Sequence, residues 1–194
     1  MIMMRYNYHT RGFTVMETLI VVAVSVVLIF AFINLYIGYN TLFSAEEVRL
    51  TARESASVVV STLYDAALQA DTILASRTVA GSLYTTGADT LVLELPAITS
   101  SGDVIAETFD YVAFYVSGTG VYRVLEANAA SSRVSGITQL TAVLDPSPSA
   151  FVLGYDTADV TEATRIDISV TTTAQSGHQN SQSHLEQSVY IRNK

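Results

Sequence analysis

The stretch RGFTVMETLIVVAVSVVLIFAFINLYI, residues 11–37, decides how the rest of the chain is read. From Phe13 the sequence is apolar, and between Leu19 and Ile33 its only polar residue is Ser25. Residues 13–37 wound as one α-helix reach about 37 Å at ~1.5 Å per residue, enough to cross a bilayer. Arg5 and Arg11 precede the apolar run, which predicts that the N-terminus stays in the cytoplasm and the remainder lies outside. A cleaved secretory signal would have a shorter apolar core and a small-residue cleavage site after it, whereas here Asn34-Leu35-Tyr36 follows. A plain signal anchor explains the length and the flanking charge but not Glu17. An ionisable group inside a membrane segment is costly and marks function by default.

Glu17 belongs to a pattern. A basic leader ends in Gly12, Phe13 follows, Glu17 is fifth from that junction, and the long apolar run comes next. The string closely resembles the processing signal of type IV pilins and type II secretion pseudopilins. That resemblance implies cutting between Gly12 and Phe13 by a prepilin peptidase at the cytoplasmic face, with N-methylation of the new terminal Phe13. It also implies that Glu17 pairs with the terminal ammonium of a neighbouring subunit in the filament. The residue types suit this chemistry. Gly12 lets a protease approach the backbone closely, and a buried carboxylate without a cationic partner costs several kcal/mol. Many major pilins carry a proline well inside this helix. This chain has Asn34 and Gly38 there instead, which favours a minor subunit at or near the filament tip.

Beyond the apolar run, Val48, Ala52, Ala56, Val59, Leu63, Ala66, Ala70 and Ile73 recur at helical spacing, with charged residues mostly between them. The expected organisation is a leader over 1–12, a membrane or filament-core helix over 13–37, and its amphipathic continuation over 38–76. An antiparallel β-rich head follows over 77–194. Strands are expected at 90–95, 109–116, 121–126, 137–144, 150–155, 164–173 and 185–192. Ser117-Gly118-Thr119-Gly120 should make a tight hairpin, and residues 174–184 (AQSGHQNSQSH) an exposed polar loop. A long helix followed by antiparallel strands is an α+β fold. Residues 90–194, with Val121-Tyr122-Arg123 and the closing Arg192-Asn193, are similar to PilW-type minor pilins and J-class pseudopilins.

Catalytic constellations are lacking. There is no cysteine, no Gly-x-Ser-x-Gly elbow and no phosphate-binding loop, and no enzyme activity is expected. No cofactor is expected either. The nearest candidates are calcium at Asp156, Asp159 and Glu162, whose spacing matches no EF-hand, and a metal at His178 and His184. Arg123, Arg133 and Arg165 could form a DNA-binding face if they converged. The chain nevertheless carries 10 Lys+Arg against 18 Asp+Glu, and that balance argues against nucleic acid as a partner of this subunit alone. The implied partners are other pilin subunits, the prepilin peptidase and the cytoplasmic membrane, before assembly into an extracellular or periplasmic filament. The competing reading is a single-pass anchor displaying a β domain as an adhesin or DNA receptor.

Overall fold

A computed structural model describes residues 14–177 and 179–191. Helix α1 spans Val15–Gln69. The chain divides into two compact units, Met1–Phe43 and Ser44–Lys194. In the first unit α1 stands uncovered, and every helical residue from Val15 to Phe43 is exposed. Among the described residues, α1 is the one helix long and apolar enough to cross a membrane.

In the second unit α1 becomes one-sided. Val48, Ala52, Ala56, Val59, Leu63 and Ala67 are buried, at the spacing of a single helix face. The small residues on this face let sheet side chains approach the helix closely, while Val59 and Leu63 each contribute about 1.5–3 kcal/mol by leaving water.

Two antiparallel sheets share a core with this half of the helix. The larger has the order β1-β4-β5-β6-β7, from Thr72–Ile73, Thr90–Ile98, Val104–Ser117, Gly120–Glu126 and Gly136–Thr141. The smaller has the order β10-β9-β8, from Gln179–Tyr190, Arg165–Ser176 and Phe151–Tyr155. Strict alternation sets which side chains enter the core. On β9, Ile166, Ile168, Val170, Thr172 and Ala174 point inward. Thr172 occupies the shape of a valine, and its buried hydroxyl donates to the Ala52 carbonyl of α1, which ties the smaller sheet to the helix. Leu91 and Leu93 of β4 face Phe114 and Val112 of β5 in register.

The outer face of the larger sheet is covered in part by the hairpin of β2 (Ser76–Val79) and β3 (Ser82–Thr85), which forms a second small core with Val79, Val92, Ala113 and Val124. Tyr84, Tyr115 and Tyr122 stack in series there, at centroid distances of 5.1 and 5.4 Å. Gly120 makes room for the last ring: a Cβ at that position would lie 2.8 Å from Tyr122 Cε2.

The α+β architecture, a long apolar N-terminal helix with antiparallel sheets, is as the sequence indicates. Three local expectations change. The helix ends at Gln69, not near residue 76, because Asp71 N–H donates to the Glu94 carbonyl (2.8 Å) and Thr72–Ile73 joins β4 as a strand. Ala70 and Ile73 are buried as expected, but the helical spacing of Ile73 is coincidental. The β2–β3 hairpin was not expected at all. The polar run 174–184 is no loop: β9 extends to Ser176, β10 starts at Gln179, and Gly177 (φ 57°) turns between them. It is polar because β10 is an edge strand, exposed along the whole of one face.

Ser117-Gly118-Thr119-Gly120 does form the tight hairpin. Ser117 pairs with Gly120, and Gly118 takes the positive φ (60°) that such a turn requires at its first position.

Candidate functional site

Gly12 and Phe13 lie outside the described residues, as do His178, Arg192 and Asn193. The first described residue of the candidate assembly segment is Thr14. Glu17 is the sole charged residue of α1 before Glu46. Its Oε2 accepts from the Thr14 N–H (2.8 Å) and the Thr14 hydroxyl (3.0 Å), while Glu17 N–H donates back to Thr14 Oγ1 at 3.3 Å. This is a reciprocal capping box, in which Thr14 precedes the helix and Glu17 sits in its first turn. It satisfies amide groups that a helix start otherwise leaves open, and the carboxylate also complements the positive end of the helix dipole. The spacing Thr-x-x-Glu is the signal that reading Glu17 as a pairing residue alone passes over.

The few other polar side chains of the apolar segment are turned onto its own backbone. Thr18 Oγ1 donates to the Thr14 carbonyl (2.9 Å), Ser25 Oγ to Val21 (2.7 Å) and Asn34 Nδ2 to Phe30 (2.9 Å). These donors thus need no partner from the surroundings, which suits a helix placed in hydrocarbon or among apolar helices.

Among its described residues the head holds one buried charged centre. Asp110 is fully buried on the core-facing side of β5, in line with Val112 and Phe114. Its oxygens accept from Asn128 N–H, Ser131 Oγ and Arg133 Nη1, each at 2.7 Å. Arg133 Nη1 also reaches the Pro96 carbonyl (2.7 Å), and Nη2 reaches Gln69 Oε1 at 3.0 Å. The pair therefore pins the β6–β7 connection to β4, β5 and the C-terminal end of α1. All its short contacts are to protein groups of a structural kind, so it reads as a clamp and not as a reactive site.

The other sequence candidates are dispersed. Asp156 caps its own loop, accepting from Thr164 N–H (3.0 Å) and Thr164 Oγ1 (2.6 Å). Asp159 accepts from Thr161 N–H and Oγ1 at 2.9 and 2.7 Å, at the start of a short 3-10 helix, Val160–Glu162. Among the described residues no three His, Asp or Glu side chains are grouped to hold a metal ion, so Asp156, Asp159 and Glu162 are not brought together as a calcium site. His184 sits between Thr171 Oγ1 (2.9 Å) and Glu186 Oε1 (3.0 Å). The three arginines do not make one face. Arg165 is paired with Asp167 on β9 at 3.0 Å, whereas Arg123 and Arg133 line one groove beside α1, where Arg133 is committed to Asp110.

Hydrogen bonds hold two carboxyls, the half-buried Asp145 and the exposed Asp156, below the usual carboxylate range. For Asp145 the main cause is the Thr173 hydroxyl, followed by Ser147; for Asp156 it is the Thr164 hydroxyl. A carboxyl with a depressed folded value contributes stability above its unfolded value and loses it as pH falls through the folded one. Denaturant midpoints should therefore decline as pH falls from about 4 towards 2. D145N and D156N should each flatten that decline, which a series of urea melts across this range would read.

No protein-family model, curated protein or solved structure matches the chain.

Proposed function

We propose that the chain is a structural subunit of a filament of the type IV pilus or type II secretion pseudopilus class, without enzyme activity. In this reading it is cut between Gly12 and Phe13 on the cytoplasmic face and then assembled through its apolar helix. It serves as a minor subunit at or near the tip. The observation that carries the reading is the first unit. There a continuous apolar helix begins at a Thr14–Glu17 cap, carries Glu17 as its one charge through Phe43, and is exposed at every residue from Val15 to Phe43.

An apolar helix face left in water would be a heavy liability. Lipid before assembly, and neighbouring helices afterwards, provide the two settings in which it is not. The antiparallel head supplies a rigid surface for contacts outside the membrane. The expected sign of processing is a mature chain beginning at Phe13, N-methylated, in mass spectra of protein recovered from membranes and filaments. Gly12→Val should leave the leader attached and keep the chain out of sheared filaments. A chain that retains residues 1–12 and still supports full activity would sink the reading.

A further inference from the structure

The larger sheet is wider than the helix that covers it. Five strands at ~4.8 Å span nearly twice the diameter of one helix, and β7, on the far side of β6 from the core, has mostly exposed residues. The overhang leaves a groove of about 540 Å³ between α1 and β6. Leu95, Leu125 and Val134 give it apolar walls, and Val134 is 82% exposed. Arg123 stands in this groove between the core residues Val121 and Leu125. Its Nε is buried and, among the described residues, has no hydrogen-bond partner; Asp65 also lines the groove, but no described carboxylate lies within ion-pair distance of Arg123. The second arginine lining the groove, Arg133, is already taken by Asp110. A half-buried guanidinium without an acceptor is costly, and an incoming carboxylate would give its open side a charge-assisted bond.

A complementary feature lies on the exposed face of α1 in the same unit. Leu50, Glu54 and Val58 are stacked four residues apart. Leu50 is 56% and Val58 41% exposed, and Glu54, also exposed, has no ion pair among the described residues, while nearby Glu46 is engaged by Arg49.

We infer that the Arg123 groove receives the Leu50–Glu54–Val58 face of a second copy of this chain, Glu54 meeting Arg123 and the two apolar residues packing on the groove walls. The contact joins two different surfaces, so it does not close as a symmetric dimer. Arg123 lies beside Thr62 and Ala66 of its own helix. Parallel helices in this contact are therefore staggered by roughly ten residues, about 15 Å at ~1.5 Å per residue. The inference rests on the filament reading and requires two copies to be neighbours.

The chain has no cysteine, so two introduced ones report the contact without background. Full-length V58C and V134C chains carrying different tags are produced together in the host membrane and treated with a short bis-maleimide linker. The mixed V58C–V134C dimer is expected. Glu54→Arg, an exposed change that cannot disturb the core, should reduce it about tenfold, and adding Arg123→Glu to the partner copy should restore it. Three results overturn the inference: no mixed dimer among chains shown to begin at Phe13, a dimer indifferent to both charge reversals, or capture of a different protein by V134C in place of a second copy. In each of these the processed N-terminus leaves the filament reading standing. A charge-dependent mixed dimer in chains that keep the leader would support the contact while removing the filament reading.

Discussion

Asp110→Ala is expected to lower the stability of the head by about 3–5 kcal/mol, the cost of leaving a buried charge without its partner. Asp110 is fully buried and, among the described residues, is the only carboxylate bonded to Arg133, whose side chain is 14% exposed. Removing it leaves the Arg133 guanidinium without its counter-charge and the Asn128 N–H and the Ser131 hydroxyl without their acceptor. The loss should appear as a lower urea midpoint for the full chain in detergent. The β6–β7 connection should become sensitive to protease before the smaller sheet does, because the clamp holds that connection directly. Arg133→Met in the Asp110→Ala background should recover part of the loss, since an absent pair costs less than a broken one. If the single variant melts with the parent, the clamp reading of this centre is wrong.

Glu17→Gln is expected to abolish incorporation into filaments while leaving the helix start intact. The capping box and the proposed inter-subunit pair make different demands on this side chain. A glutamine can still accept from Thr14 N–H, so it retains the cap, but it offers no charge to a neighbour's terminal ammonium. Thr14→Ala does the reverse. It removes the hydroxyl that bonds Glu17 and costs about 1 kcal/mol of capping, yet leaves the carboxylate charged. The filament reading therefore expects Glu17→Gln to fail in sheared filaments and Thr14→Ala to assemble, both with normal amounts in the membrane. Equal assembly of Glu17→Gln and parent would assign Glu17 to capping alone.

Much of the architecture is legible in the sequence, for physical reasons that can be named. The apolar run has no alternative to a helix or membrane segment, and Ile166, Ile168 and Val170 alternate as only a half-buried strand would. Asp110 could have been singled out too, since it shares the two-residue period of Val112 and Phe114 and so puts a charge on the core face. Its partner could not. Arg133 lies in a connection whose path is set by tertiary contacts, 23 positions further on. The Arg123 groove was illegible for a similar reason, because it depends on how far the sheet extends past the helix. The short β2–β3 hairpin has few apolar residues and gains its stability from the sheet face it covers. The error at β10 is of another kind. Composition reads Ser, Gln and Asn as loop, but a twelve-residue pairing with β9 supplies backbone bonds that composition does not register.

That same strand has a consequence for how the protein behaves at high local concentration, as in an overproducing cell. An unpaired strand edge invites other chains to add to it and so to seed fibrous aggregates. β10 has such an edge, but Asn180, Gln182, His184, Glu186 and Ser188 along its exposed face give an added strand almost no apolar surface to bury. Stacking would then rest on backbone bonds alone, which water supplies about as well. The polar run thus acts as a gatekeeper, and hydrophobic residues at Gln182, His184 and Glu186 would turn the longest open edge among the described strands into a nucleus for fibrils.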